Sequence, residues 1–236
     1  MIFDEKEKNM FKGFLAFFLY FLMSFFKYLP FQLMKVNINN IPDYIKYTYV
    51  ILLELVVILI IYIMFRDTLI DMFNDFKKSK NYYFKKYFKY WFVILISTGI
   101  LNILISFVNN SNISGNETVV RTMLTLHPIY VWVSGVILAP ILEELIFRFS
   151  IRTVFSYKWI FIIVSGLLFG GTHLLGTVTS TVDLLYLLPY AIPGCIFAYI
   201  YYDSDNIFNT MGLHFIHNGI LMSLQILFLI FGFNIV

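Results

Sequence analysis

Residues 131–155 read VWVSGVILAPILEELIFRFSIRTVF, an apolar run broken by Glu143, Glu144, Arg148 and Arg152. About 20 predominantly apolar residues carry a helix across some 30 Å of hydrocarbon, so this run is long enough to span a bilayer. Runs of similar length recur near residues 13–34, 47–65, 90–108, 159–176, 184–202 and 207–233. Together they predict an all-α fold, a polytopic transmembrane bundle of about seven spans with a four-helix core on its C-terminal side. Composition agrees. Of 236 residues 60% are hydrophobic, 20% aromatic and only 13% charged, against about 25% charged in a soluble domain. A water-soluble globule is excluded.

The chain divides into N-terminal helices, 1–124, with a basic cytoplasmic loop at 66–89, and a core at 125–236. The first block is the shortest: its clean apolar part, Gly13 to Phe26, ends at Lys27, so it either tilts across or lies in the interface. Preceded by Lys6, Lys8 and Lys12, it looks like a signal peptide. The stretch Lys27 to Pro30 lacks a small-residue cleavage pattern, and further spans follow, so it is expected to be retained. Residues 66–89 interleave aromatics with lysines, a composition that suits either anionic headgroups or a solvated loop. Richness in Phe, Ile, Tyr, Lys and Asn fits AT-rich coding and points to a bacterial cell membrane. Three Asn-x-Ser/Thr sequons between Asn109 and Thr118 would matter only in a eukaryotic secretory pathway.

Orientation follows from Lys and Arg, which stay on the cytoplasmic side. With the N-terminus inside, 13 of the 17 basic residues face the cytoplasm, and Lys27, Lys35, Lys46 and Arg121 remain outside. The net charge of +3 gives no broad positive field, so nucleic acid is excluded as a partner. Cys195 is the only cysteine, which leaves no intrachain disulfide, iron–sulfur cluster or Cys-based zinc site. The partner expected from composition is the lipid bilayer.

With the loop-proximal charges set aside, four remain inside the spans: Glu54, Glu143, Glu144 and Arg148. Each costs roughly 2.5–3.5 kcal/mol at mid-helix and needs a partner or a purpose. Glu144 and Arg148 are an i,i+4 pair in the favourable order and neutralise each other. Glu143 is left without a cation, free to take a proton from water and return it to a leaving group. If Ser156 to Lys158 is a turn, Glu143 and His173 lie equally far from it, on the order of 20 Å deep. His214 and Asn218 share one face of the last run, with His217 beside them. Acids and imidazoles converging from three helices point to a site. His127 is expected at the rim of the fourth run, and Glu54 as a buried acid whose partner the sequence does not name.

These residues, Glu143-Glu144-x-x-x-Arg148, Phe169-x-x-x-His173 and His214-x-x-x-Asn218, resemble the three ordered motifs of the CAAX protease and bacteriocin-processing (CPBP, or Abi) family of intramembrane endopeptidases. The resemblance spans roughly 125–236. It implies a helical protease whose cavity, open to one side, admits a peptide. By that resemblance Glu143 and His173 activate the attacking water, while His214 and Asn218 either hold a metal ion or form an oxyanion hole. Glu144 joins the site as the second acid, Arg148 is its structural partner and Phe169 packs beside His173. Family members are often called metalloproteases, and Glu143, His173 and His214 are three residues able to ligate a divalent ion such as zinc. Glu143 as a ligand is less available as the base, so metal-dependent and metal-free chemistry both stand.

For a bacterial member the resemblance suggests bacteriocin or pheromone peptide maturation, self-immunity or CAAX-type processing. Two rival readings are a catalytically silent scaffold or immunity protein that binds a partner, and a small transporter using its intramembrane Glu and His as an ion path.

Overall fold

The computed structural model describes residues 4–109 and 113–235. Helix α1, Glu5–Phe26, opens on a reciprocal cap in which the Glu7 amide donates to the Asp4 carboxylate and the Asp4 amide to Glu7. It therefore starts earlier than the apolar run and stops short of residue 34, where Leu29–Leu33 forms a separate turn with Pro30 near its start. Helix α2, Asp43–Met64, follows Pro42. Helix α3, Arg66–Ser106, is 41 residues long, about 60 Å at 1.5 Å per residue.

That length corrects the expected loop at 66–89, which is helix throughout. Its anchors explain why. The Asn206 amide donates to the Met72 carbonyl (2.7 Å) and to Asp75 (3.0 Å), while Tyr87 donates to Asp203 (2.7 Å), which also pairs with Lys86. Tertiary contacts to residues 203–206 thus carry the helix through a stretch whose sequence has no clean apolar stripe.

The remaining helices build the core. Helix α4 is Gly115–Leu126, capped by Ser114. Helix α5 runs over Pro128–Val154 and contains two π-helical stretches, Ser134–Leu138 and Glu144–Ser150. Helix α6 is Lys158–Thr172, α7 is Val182–Ser204 and α8 is Ile207–Ile230. Among the described residues six helices, α1, α2, α3, α5, α7 and α8, are long and apolar enough to cross a membrane. The seventh expected span, α6, has only 15 residues, about 22 Å.

A short α6 is tolerated because it lies against protein. Gly166 and Gly170 face Ala191, Gly194 and Cys195 of α7; a Cβ on Gly194 would stand 2.9 Å from the Gly166 Cα. Small residues let the two backbones touch, the usual way helices associate where no hydrophobic drive operates between them. Large apolar side chains elsewhere point outward, among them Phe14, Phe18, Leu52, Leu55, Ile96 and Ile103, as lipid requires.

One end of the bundle gathers the start of α2, the end of α3, α4, the start of α5 and the chain's C-terminal residues. His127 reaches Asp43 (3.3 Å), Asn109 reaches Asp183 (3.1 Å), and Arg121 donates to the Ile235 carbonyl (2.9 Å). The lysine-rich half of α3 meets the α7–α8 turn at the opposite end. The sequons at Asn109 and Asn112 depend on residues 110–112, which lie outside the described residues.

Candidate active site

Glu143 closes the short α-helical segment Ala139–Glu143 that separates the two π stretches of α5. Such π turns widen the helix and are frequent at functional sites. The next residue, Glu144, is fully buried and pairs with the equally buried Arg148 at 3.4 Å. The Arg148 guanidinium lies over the Phe169 ring (4.3 Å) and near Phe197 (5.4 Å). The i,i+4 neutralisation read from the sequence is present, with two aromatic faces standing in for water around the cation. Phe169, read as a packing residue, is the nearer of those faces and also lies against His173, with ring centroids 4.7 Å apart.

His214 stands between the two acids. Its Nδ1 lies 2.9 Å from Glu144 Oε1 and its Nε2 lies 3.7 Å from Glu143 Oε2. Because a carboxylate accepts, Nδ1 carries a proton. The ring stacks on Phe197, with centroids 4.9 Å apart and planes at 26°. His173 comes from the end of α6, where its Nδ1 lies 2.9 Å from the Phe169 carbonyl. A carbonyl only accepts, so Nδ1 donates and the neutral ring offers its Nε2 lone pair. Tyr190 stacks on this imidazole (4.6 Å, 19°) and is held by its hydroxyl, 2.6 Å from Ser114 Oγ and 3.3 Å from the donating Asn116 amide. The Asn218 amide donates one hydrogen to the Gly135 carbonyl at 2.8 Å, leaving its second N–H unassigned.

Glu143, His173, His214, His217 and Asn218 all line one cavity of about 710 Å³, which reaches Asn116, Glu117 and Arg121 of α4. Glu143 and His173, expected at equal depth from the Ser156–Lys158 turn, thus border one space. No direct hydrogen bond joins these two side chains among the described residues. Both side chains line the same volume.

The proposed metal ligands do not make a metal cage as arranged. Among the described residues no three His, Cys, Asp or Glu side chains are placed to hold an ion. Both nitrogens of His214 are directed at Glu144 and Glu143, and His173 uses Nδ1 on its own helix. Glu143, His173 and His214 thus share a cavity without converging on one point.

His127 sits at the start of α5 against Asp43 and the Tyr47 ring, a rim position. Glu54, left without a partner in the sequence, has the Lys27 ammonium, the Ser134 hydroxyl and Glu143 acting on its carboxylate. Sequence reasoning missed Tyr190, Phe197 and Ser114. Only the prolines flanking Tyr190, Pro189 and Pro193, hinted that this part of α7 faces protein.

Residues 125–220 match the family model of Rce1-like proteins, described as type II CAAX prenyl endopeptidase Rce1-like. The match contains all three motifs and stops before the end of α8. No curated protein and no solved structure matches the chain.

Proposed function

We propose, from the match of residues 125–220 to the Rce1-like endopeptidase family model, that this multi-pass membrane protein hydrolyses a peptide bond in a membrane-associated peptide or protein. The observation that carries the reading is the shared cavity: Glu143, His173, His214 and Asn218 reach it from three helices. Glu143 removes a proton from water as the oxygen attacks the scissile carbonyl carbon. The same carboxyl returns that proton to the departing amine as the C–N bond breaks. His173 holds the water through its Nε2 lone pair, kept in orientation by the Phe169 carbonyl and the Tyr190 face. The free N–H of Asn218 donates to the developing oxyanion, a role worth about 2.7–4 kcal/mol in comparable sites. His214 and Arg148 compensate the two glutamates and keep Glu144 out of the reaction.

The cavity's lining extends to Asn116, Glu117 and Arg121, at the end of the bundle away from the lysine-rich half of α3, and in this reading it opens there. With basic segments inside, that is the extracytoplasmic face. In a bacterial cell membrane the substrates in keeping with this are bacteriocin or pheromone precursors and immunity targets, alongside CAAX-type peptides.

The test is cleavage of short membrane-bound precursor peptides by reconstituted protein. Glu143→Gln and His173→Ala each abolish product while the variants stay folded in the membrane. Turnover retained in either overturns the assigned roles.

A further inference from the structure

On the far side of α5 from the large cavity, a second chamber of about 190 Å³ lies between α1, α2 and α5. Its walls carry Tyr20 and Ser24 from α1, Lys27 just past its end and Glu54 from α2, none of which has a part in the hydrolysis described above. Ala139 and Glu143 line both spaces. The turn of α5 that carries them, with Ala139 four residues before Glu143 on the same face, therefore separates the two spaces.

The polar side chains of the lining, Tyr20, Ser24, Lys27 and Glu54, indicate what fills the chamber, since such groups inside a protein are satisfied by one another or by ordered water. The chamber holds several waters at about 30 Å³ each, and the Ser24 hydroxyl and Lys27 ammonium supply further partners. Lys27 follows the last residue of α1, Glu54 lies about 16 Å into α2, and Glu143 about 22 Å into α5. The chamber thus descends from the bundle end where α1 finishes toward the back of the Glu143 carboxylate.

We infer that this chamber is the water supply of the reaction, feeding Glu143 from behind while the peptide occupies the large cavity. The inference rests on Glu143 as the base. Each peptide bond cut consumes one water, and a bound peptide obstructs access through its own cavity, so a separate polar route keeps the nucleophile replaceable. Glu54 and Ser24 are positioning residues for that water and touch neither substrate nor scissile bond.

The single cysteine makes the route measurable. On a Cys195→Ala background in nanodiscs, Ser24→Cys places a thiol in the chamber, and Leu52→Cys places one on the lipid-facing side of α2. A small charged thiosulfonate reacts with thiolate, which forms only where water reaches. Ser24→Cys is expected to react at least about tenfold faster than Leu52→Cys. Equal rates overturn a wet chamber. Once Ser24→Cys is modified, kcat falls at least about tenfold with KM unchanged, since the plug lies outside the peptide cavity. Full kcat after complete modification overturns the supply route. If the Cys195→Ala parent cleaves nothing, the hydrolase reading fails and the supply role with it, while the labelling comparison still decides whether the chamber is wet.

Discussion

Replacing Arg148 with methionine removes the cation beside Glu144 and keeps much of the side-chain volume. Both partners have no exposed side-chain surface, so no solvent is at hand to rehydrate the orphaned carboxylate. Breaking one side of such a pair costs about 3–5 kcal/mol, and the loss of the guanidinium from the Phe169 face adds to it. His214, 2.9 Å from Glu144, remains as a partial counterion and holds the loss toward the lower end. At roughly 2–4 °C per kcal/mol for a chain of this size, a loss of about 3 kcal/mol means that Arg148→Met should melt about 6–12 °C below wild type in detergent. The double variant Glu144→Gln/Arg148→Met removes both charges and should recover at least about half of that loss, because a buried pair replaced by neutral groups is often close to neutral overall. Thermal unfolding of the purified proteins decides it. A single variant within about 2 °C of wild type, or a double variant no more stable than the single, refutes the account of this pair as a charge held in place by its partner.

Other outcomes follow from the same geometry. Tyr190→Ala removes the ring stacked on His173 and should lower kcat about tenfold, by freeing the imidazole, whereas Tyr190→Phe keeps the stack, worth about 0.5–1.5 kcal/mol, and most of the rate; equal kinetics for the two variants count against this role. Gly194→Leu forces α6 and α7 apart where their backbones meet and should lower the melting temperature by the equivalent of about 1–3 kcal/mol or more, read in the same unfolding assay. Cleavage should survive exhaustive chelation, since His214 is committed to the two glutamates; loss of activity reversed by added zinc would overturn the roles given to His173 and His214.

Much of the site was legible because charge in hydrocarbon is rare and leaves few explanations. Glu144 and Arg148 were readable as a pair from spacing alone, and the matched distances of Glu143 and His173 from the Ser156–Lys158 turn anticipated one shared cavity. The gaps have a common cause. The helix over 66–89 depends on Asn206 and Asp203, more than a hundred residues away, and no local pattern announces it. The Tyr190–His173 stack, the direction of His214 toward both acids and the chamber beside Glu54 are products of helix packing. Apolar periodicity gives no phase for a helix that is apolar on every face, so which side of α7 looks inward emerges only when Gly194 meets the glycines of α6.

The two π stretches of α5 act as a vernier on the reactive carboxylate. A π turn amounts to an α turn with one residue inserted, and one residue corresponds to about 100° of rotation. Residues Ala139–Glu143 lie between two such insertions. The azimuth of Glu143 is therefore set by the first π stretch, which is tied to Asn218 through Gly135, and independently of the helix end, which packs on α1 near Gly13. Deleting a single residue in 134–138 would leave the apolar composition intact and swing the carboxylate off the partition. A lineage could discard the chemistry in that one step and keep the bundle.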